Sequence, residues 1–273
     1  MEWVFVGVVG LLLLLLVWPT ASSARKLLNT WRVHDPSAEQ IDEALTYLRR
    51  RRVWYPWFFL ATPLVFGWFG SANGGYNQAL ITGLAGLLIA ELLALWSVRT
   101  SPRTTELAPR GLFDLIPKWA ASLYTLLVLM TEAYAVAGLT GQREAWRQPG
   151  GLDGIPGNSY GPTPWIIALA TAGCLLAVAA VCRLTMIRPT SGDGVVDTVL
   201  RTRSARVALG LGIALQGQLL AAAADRIAFY GANPVASHNW VPTAAWAGSV
   251  LAWVWVANPP LKLSLLAGRN RRA

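Results

Sequence analysis

Residues 207–228 read VALGLGIALQGQLLAAAADRIA, an apolar run in which charged residues appear only near the end, at Asp225 and Arg226. About 20 apolar residues in a helix cross the ~30 Å hydrocarbon core of a bilayer, so this run predicts a transmembrane helix. Small residues recur along it at intervals of three and four, which predicts close contact with another helix. These small residues are Gly210, Ala214, Gly217 and Ala221.

The rest of the chain repeats this alternation of apolar runs and polar segments. Seven runs are long enough, or nearly so, to cross a bilayer, and they predict an all-α polytopic transmembrane bundle in one membrane domain, residues 1–273. Pro56 and Pro63 predict a kink in the second run. The predicted spans are residues 3–19, 54–72, 78–97, 119–139, 164–184, 207–228 and 243–258.

The composition also points to a membrane protein. Hydrophobic residues occupy 54% of the 273 positions and charged residues 14%, whereas soluble domains carry roughly 25% charged residues. The net charge is +9, but the basic residues stand between apolar runs and not in a nucleic-acid-binding patch. We therefore expect membrane lipids as partners and no nucleic acid.

The distribution of Lys and Arg predicts the orientation of the bundle. With the N-terminus outside and the C-terminus inside, 20 of the 23 Lys and Arg lie in inner segments. The three on the outer side are Arg143, Arg147 and Arg226. Since basic residues accumulate in cytoplasmic loops, the sequence predicts a membrane protein with its N-terminus outside and its C-terminus in the cytoplasm. Tryptophans at the ends of most predicted spans are typical of interfacial anchors.

The N-terminal apolar run has two interpretations. Leu11 to Leu16, followed by the small residues of 21–24, is similar to a signal peptide with its cleavage site. However, Glu2 precedes the run while Arg25 and Lys26 follow it, the reverse of the charge order in a signal peptide. This order favours an uncleaved first span.

Residues 36–52 predict an amphipathic helix on the cytoplasmic side. Ser37 and Gln40 have the spacing of a capping box, and the apolar residues Ile41, Ala44, Leu45 and Leu48 share one face. Arg49, Arg50, Arg51 and Arg52 close the helix and are candidates for contact with anionic lipid or a cytoplasmic partner. The alternative is an interfacial helix that only fixes the topology.

Ionisable groups inside membrane spans are costly and mark candidate functional sites. Glu132, Asp225 and Glu91 are the candidate catalytic carboxylates, each of which has the alternative role of holding helices together. Gln216, Gln218 and Arg226 are the other polar intramembrane residues. A second stripe of small residues accompanies Glu91 and predicts that the third and sixth spans form the bundle centre. This stripe consists of Gly83, Gly86, Ala90 and Ala94.

The sequence lacks the residues that several kinds of chemistry require. Cys174 and Cys182 stand on one predicted helix about 12 Å apart by rise, too far for a disulfide, and read as packing residues. His34 and His238 are the only histidines, and no metal-ligand spacing occurs. Since a nucleotide-binding P-loop is also missing, we expect no metal and no cofactor.

One segment carries a family resemblance. The run Trp31 to Arg52, with Tyr47-Leu-Arg-Arg-Arg-Arg52, and the elbow Pro117-Lys-Trp119 look like loops of uncharacterised multi-pass membrane proteins of high-GC Gram-positive bacteria. The resemblance implies a location, the bacterial cytoplasmic membrane, and no activity.

Three functional hypotheses follow. The first is a non-enzymatic, membrane-embedded subunit of a transport or export assembly, which would need an energy-supplying partner such as a cytoplasmic ATPase. The second is a small membrane enzyme that acts on a lipid-like or isoprenoid substrate through helix-borne carboxylates, for which Glu132 and Asp225 would have to meet at one depth. The third is a sensor or immunity protein.

Overall fold

The computed structural model describes residues 18–33, 35–69, 76–96, 111–146, 163–187, 194–229 and 240–258. These residues form eight α-helices and, within the described ranges, no strand. The helices are α1 Ala21–Thr30, α2 Ala38–Phe69, α3 Tyr76–Trp96, α4 Leu112–Leu115, α5 Lys118–Trp146, α6 Pro164–Ile187, α7 Gly194–Phe229 and α8 Trp240–Ala257.

Three of these helices are long and apolar enough to cross a membrane: Lys118–Arg143 within α5, Pro164–Ile187 as α6, and Gly194–Ala224 within α7. The apolar segments Leu80–Leu95 and Thr243–Ala257 are shorter. The helical bundle predicted from the sequence is therefore present. Of the predicted first span, residues 3–19, all but the last two residues lie outside the described part of the chain.

Helix α7 is the centre of the bundle. It packs against α8, α5, α6 and α3, and also touches α2 and α4. Nearly all of its apolar stretch is covered by these neighbours, which agrees with the central place predicted for the sixth span. The outer helices α5, α6 and α8 instead expose large apolar side chains, as expected of surfaces that face lipid. Leu129, Leu169, Leu176 and Leu251 are examples.

The two small-residue stripes make different contacts. On α7, a Cβ atom added at Gly210 would lie 2.6 Å from Cδ1 of Trp253, and one added at Gly217 would overlap Ser249, both on α8. On α3, a Cβ at Gly86 would overlap the backbone of Phe58 on α2. These glycines therefore make close helix contacts, Gly210 and Gly217 with α8 and Gly86 with α2.

A second apolar cluster covers one end of the bundle. Helices α2 and α7 contain 32 and 36 residues, or ~48 and ~54 Å at 1.5 Å per residue, so both exceed the ~30 Å hydrocarbon core. Their extra turns pack with α1. We call this unit, residues 21–33, 38–50 and 194–204, the end cap. Its buried apolar residues include Leu28, Val33, Ile41, Leu45, Val196 and Leu200.

The predicted capping box is confirmed. The backbone N–H of Ser37 donates to Oε1 of Gln40 at 2.9 Å, and the N–H of Gln40 donates to Oγ of Ser37 at 3.3 Å. The helix that follows is not confined to 36–52, because α2 runs without interruption from Ala38 to Phe69 through Pro56 and Pro63. The amphipathic segment is thus the first part of the second predicted span.

A left-handed residue fixes the turn between α1 and α2. Arg32 has φ 67°, and the N–H groups of Val33 and Arg32 donate to the carbonyls of Leu28 and Asn29, each at 3.0 Å. This is the Schellman arrangement, in which Leu28 and Val33 also bury their side chains together. It turns the chain so that the amphipathic part of α2 can pack on α1.

The contact between α7 and α8 can be tested with two Gly→Ala substitutions. Gly217→Ala should lower the free energy of unfolding by ~1–3 kcal/mol, since the added methyl meets Ser249 and lies 2.7 Å from the backbone oxygen of Ala245. The matched control is Gly173→Ala on α6, where an added Cβ meets no atom within 4 Å. Thermal unfolding in detergent is the measurement. Equal effects of the two substitutions would contradict the packing described here.

Candidate functional site

A buried ion pair connects α2 and α3 where the end cap meets the bundle. Nη2 of Arg51 lies 2.5 Å from Oε2 of Glu91, and the two side chains are 6% and 0% exposed. The hydroxyl group of Tyr55 also donates a hydrogen bond to Oε1 of Glu91. Glu91 therefore has one positive partner and one hydroxyl donor, both from α2.

The guanidinium of Arg51 extends this contact to α7. Nη1 donates to the hydroxyl oxygen of Tyr47, and Nη2 donates to Oγ of Ser204 at 2.9 Å. The Ser204 hydroxyl donates its own hydrogen to the carbonyl of Leu200 at 2.8 Å, so at the 3.3 Å contact between Tyr47 and Ser204 the tyrosine is the donor. We call Tyr47, Arg51, Tyr55, Glu91 and Ser204 the Arg51 network.

Helix geometry explains why one of four consecutive arginines points inward. Residues three and four apart share a helix face, and Arg51 continues the face of Ala44, Tyr47 and Leu48, all of which are buried. Arg49 and Arg50 are exposed, and Arg52 is half-buried. The four arginines predicted as one lipid or partner contact therefore have different surroundings, and Arg51 is part of the bundle interior.

The Arg51 network replaces the water that both charges lose on burial. An isolated charge in an apolar interior costs several kcal/mol, and only a partner with good geometry and further hydrogen bonds compensates for it. Arg51 has a carboxylate, two hydroxyl groups and the ring of Tyr47, whose centroid lies 4.1 Å from its Cζ. Removing a single partner would leave the other charge buried and uncompensated.

Two further arginines of α7 attach the end cap through aromatic rings. Cζ of Arg203 lies 5.6 Å from the ring centroid of Tyr47, and Cζ of Arg206 lies 5.4 Å from that of Trp31. Both distances are within the ~6 Å range of cation–π attraction. Trp31 and Tyr47 belong to the segment that carried the family resemblance, so its aromatic residues have a packing role here.

A cavity of about 280 Å³ opens beside the Arg51 network, between α2, α7 and α8. Its polar side is formed by Arg51, Arg52, Tyr55, Arg203 and Asn258. Burial lowers the pKa of the Arg52 guanidinium below its ordinary value, and the positive charge of Arg203 lowers it further. The apolar residues that complete the wall are Leu48, Val207, Trp253, Val254 and Ala257.

Gln216 and Gln218, the two glutamines predicted as polar intramembrane residues, are deeply buried in α7. Nε2 of Gln216 donates to the backbone oxygen of Thr171 at 3.4 Å, and Oγ1 of Thr171 donates to Oε1 of Gln216 at 3.5 Å, which ties α7 to α6. Gln218 is 1% exposed, and among the described atoms its Oε1 has no hydrogen-bond partner. Both glutamines therefore face other helices and not lipid.

The remaining candidate acids differ from Glu91. Glu132 is half-buried on α5 and shares its face with Leu129 and Val136, which are 63% and 58% exposed. Helix α7 includes Asp225 and Arg226, but their side chains lie outside the described part of the structure. Of the three predicted carboxylates, Glu91 is the one that the described contacts place in a charged network.

The cysteines have the packing role that the sequence predicted. Cys174 and Cys182 are free and buried, and Sγ of Cys174 lies 3.5 Å from the hydroxyl oxygen of Tyr124 on α5. Within the described ranges, no group of three or more His, Cys, Asp or Glu could hold a metal ion.

Sequence reasoning identified Arg51 and Glu91 separately but missed their pairing, and it missed Tyr47, Tyr55 and Ser204. One signal was available. Tyr47, Arg51 and Tyr55 are four residues apart, so they line one face of a helix that continues the predicted apolar face. Ser204 had no such signal, because its place depends on how α7 docks against α2.

No protein-family model, curated protein or solved structure matches this chain. The fold and the site therefore define its class by physical criteria alone. Its described residues form an all-helical bundle with three helices apolar enough to cross a membrane, and a buried ion pair joins α2 to α3 beside the end cap.

Substitution of both charged residues together should restore much of the stability that each single substitution removes. Arg51→Met or Glu91→Met alone should lower the free energy of unfolding by ~3–5 kcal/mol, since each leaves the other charge buried without its partner. The double variant should lose less than either single variant, because no uncompensated charge remains. Thermal unfolding in detergent measures the stability of each variant, and the coupling energy of the two residues follows from these values. Losses of stability that simply add in the double variant would contradict the ion pair.

Proposed function

We propose that this chain is a non-enzymatic integral membrane protein that serves as a membrane-embedded subunit of a transport or export assembly. The observation that carries the proposal is the Arg51–Glu91 pair. A membrane enzyme that acts through helix-borne carboxylates needs a carboxylate that its substrate can reach, whereas Glu91 is fully buried and bound to Arg51 and Tyr55. Its surroundings suit a group that holds helices together.

The exposure of Glu132 also favours a structural protein over an enzyme. Catalysis by paired carboxylates needs two acids that face one cavity. Glu132 shares a helix face with the exposed residues Leu129 and Val136, and the described residues that line the 280 Å³ cavity include no carboxylate. An isolated acid on the outer side of α5 is poorly placed for such a reaction.

We further propose seven spans with the N-terminus outside, which would place the end cap in the cytoplasm of a bacterial cell. The positive-inside rule supports this orientation. Arg51, just before the predicted second span, pairs with Glu91 near the end of α3, and it lines one cavity with Ala257 at the end of α8. Their common location agrees with spans that alternate in direction.

The end cap would then present a rigid basic surface to a cytoplasmic partner. Arg49 and Arg50 are exposed on the turn that also carries Arg51, so the buried ion pair fixes the backbone beneath them. A fixed positive surface suits an acidic surface on a partner protein, because complementary charges accelerate encounter and set orientation. An energy-supplying ATPase is the kind of partner that a transport subunit without its own nucleotide site requires.

Purification of the full chain from its native membrane in mild detergent tests this role. We expect a partner protein in constant stoichiometry, measured by light scattering and mass spectrometry. Arg49→Glu with Arg50→Glu should reduce its recovery at least about tenfold, since charge reversal at a close contact costs more than 1.4 kcal/mol.

The matched control replaces the same two residues by Lys, which keeps the charge and should keep the partner. A chain that elutes alone under all conditions, or equal losses in both variants, would contradict the subunit role.

A further inference from the structure

The outer side of α5 carries a carboxyl group about halfway along the apolar part of the helix. Glu132 stands 14 residues after Lys118 and 11 residues before Arg143, the two ends of that apolar segment. At 1.5 Å per residue these separations are ~21 and ~17 Å. In a bilayer crossed by α5, Glu132 therefore lies close to the middle of the hydrocarbon core, and its short side chain reaches neither membrane surface.

This carboxyl group has no partner among the residues that the structure describes, which offer Glu132 neither a hydrogen bond nor an ion pair. Its neighbours on the helix surface, Leu129 and Val136, are 63% and 58% exposed. The side chain of Glu132 is itself partly exposed, so a group outside the chain can reach it. Ionisable residues inside membranes are costly, and they almost always face a bundle interior or pair with one another. The surface of α5 beside Glu132 is therefore expected to be covered in the assembled protein.

The same surface has the small residues that a neighbouring helix needs. Ala133 and Ala137 are both exposed and stand four residues apart, a spacing of small residues that lets two membrane helices approach closely. Thr125 is exposed as well, but its hydroxyl group donates to the carbonyl of Ala121 at 3.0 Å and is satisfied within α5. Glu132, by contrast, needs a polar group from outside the chain.

We propose that the outer face of α5 binds a transmembrane helix of a different subunit, and that this helix carries a Lys or Arg at the depth of Glu132. Such a residue balances the charge of the carboxylate, and each of the two charges compensates for the water that the other lacks. The inference rests on the proposed role as a subunit and adds the chemistry of the partner within the membrane.

A second copy of this chain fits the same face less well. Copies in one membrane run in the same direction, so a twofold dimer through α5 would place Glu132 opposite Glu132, and like charges repel. A head-to-tail contact would instead need a basic residue at the middle of another helix. The exposed arginine of α6, Arg183, stands only four residues before that helix ends at Ile187, so it lies at a different depth.

Photo-crosslinking of the full chain in its native membrane tests the proposal. With benzoylphenylalanine in place of Ala133, irradiation should join the chain to another protein. Mass spectrometry of the adduct should then identify an apolar segment that contains Lys or Arg. The matched control carries benzoylphenylalanine in place of Ala172, an exposed alanine of α6, and should not give this adduct.

The charge of Glu132 is tested in the same experiment. Glu132→Gln should reduce the adduct at least about tenfold, since it removes the charge from a charge-assisted hydrogen bond. Glu132→Asp keeps the carboxylate and should retain most of the adduct. The isolated Glu132→Gln chain should unfold in detergent at no lower temperature than the unmodified chain, because the described residues give Glu132 no partner to lose.

Several outcomes would overturn the proposal. They are an adduct at Ala133 with lipid alone, with a second copy of the chain or with a segment that lacks Lys and Arg, no adduct, or equal yields from Ala133 and Ala172. An undiminished adduct in Glu132→Gln would also overturn it. If Glu132→Gln does not fold, the adduct formed at Ala133 with Glu132 intact decides. A protein that co-purifies in constant stoichiometry without this adduct would remove the present inference and leave the subunit role standing.

Discussion

The packing of α2 against α3 and α7 depends on the neutralisation of the buried charge of Arg51. Arg51 stands on the face of α2 that must pack inward, so its guanidinium enters the bundle with the apolar residues beside it. An uncompensated charge there would be too costly, and Glu91 of α3 compensates for it at 2.5 Å. Because Ser204 of α7 also binds Arg51, the same interaction fixes the positions of α2, α3 and α7, and through them the end cap.

Much of this architecture was predictable from the sequence, since hydrophobic runs and capping signals are local. The capping box at Ser37, the buried face beginning at Ile41 and the close contacts of Gly217 all follow from the spacing of neighbouring residues. The sequence also placed the amphipathic segment directly before the second span, but the proline residues Pro56 and Pro63 did not show that α2 would continue as one helix through both. A helix can pass through proline in a bundle when neighbouring groups satisfy the backbone.

The candidate site was less predictable, because it depends on contacts between residues far apart in the chain. The four consecutive arginines predicted one basic surface, although the helical period turns Arg51 away from Arg49 and Arg50. Glu91 read as a possible catalytic acid, since the sequence does not show which residue of another helix faces it. The cavity beside Arg203 and Trp253 required the packing of α7 against α8. The sequence identifies charged residues that are costly to bury, and only the fold identifies their partners.

Hydrogen exchange of the Glu91→Gln variant, measured by mass spectrometry in detergent, tests most directly whether the Arg51–Glu91 pair fixes the end cap. Loss of the carboxylate charge should accelerate exchange in residues 21–30 and 41–50 of the end cap. The backbone amides of residues 207–224 should exchange as in the unmodified chain, since α7 retains its contacts with α5, α6 and α8. Unchanged exchange in the end cap of the folded variant, or equal acceleration in both regions, would contradict this account.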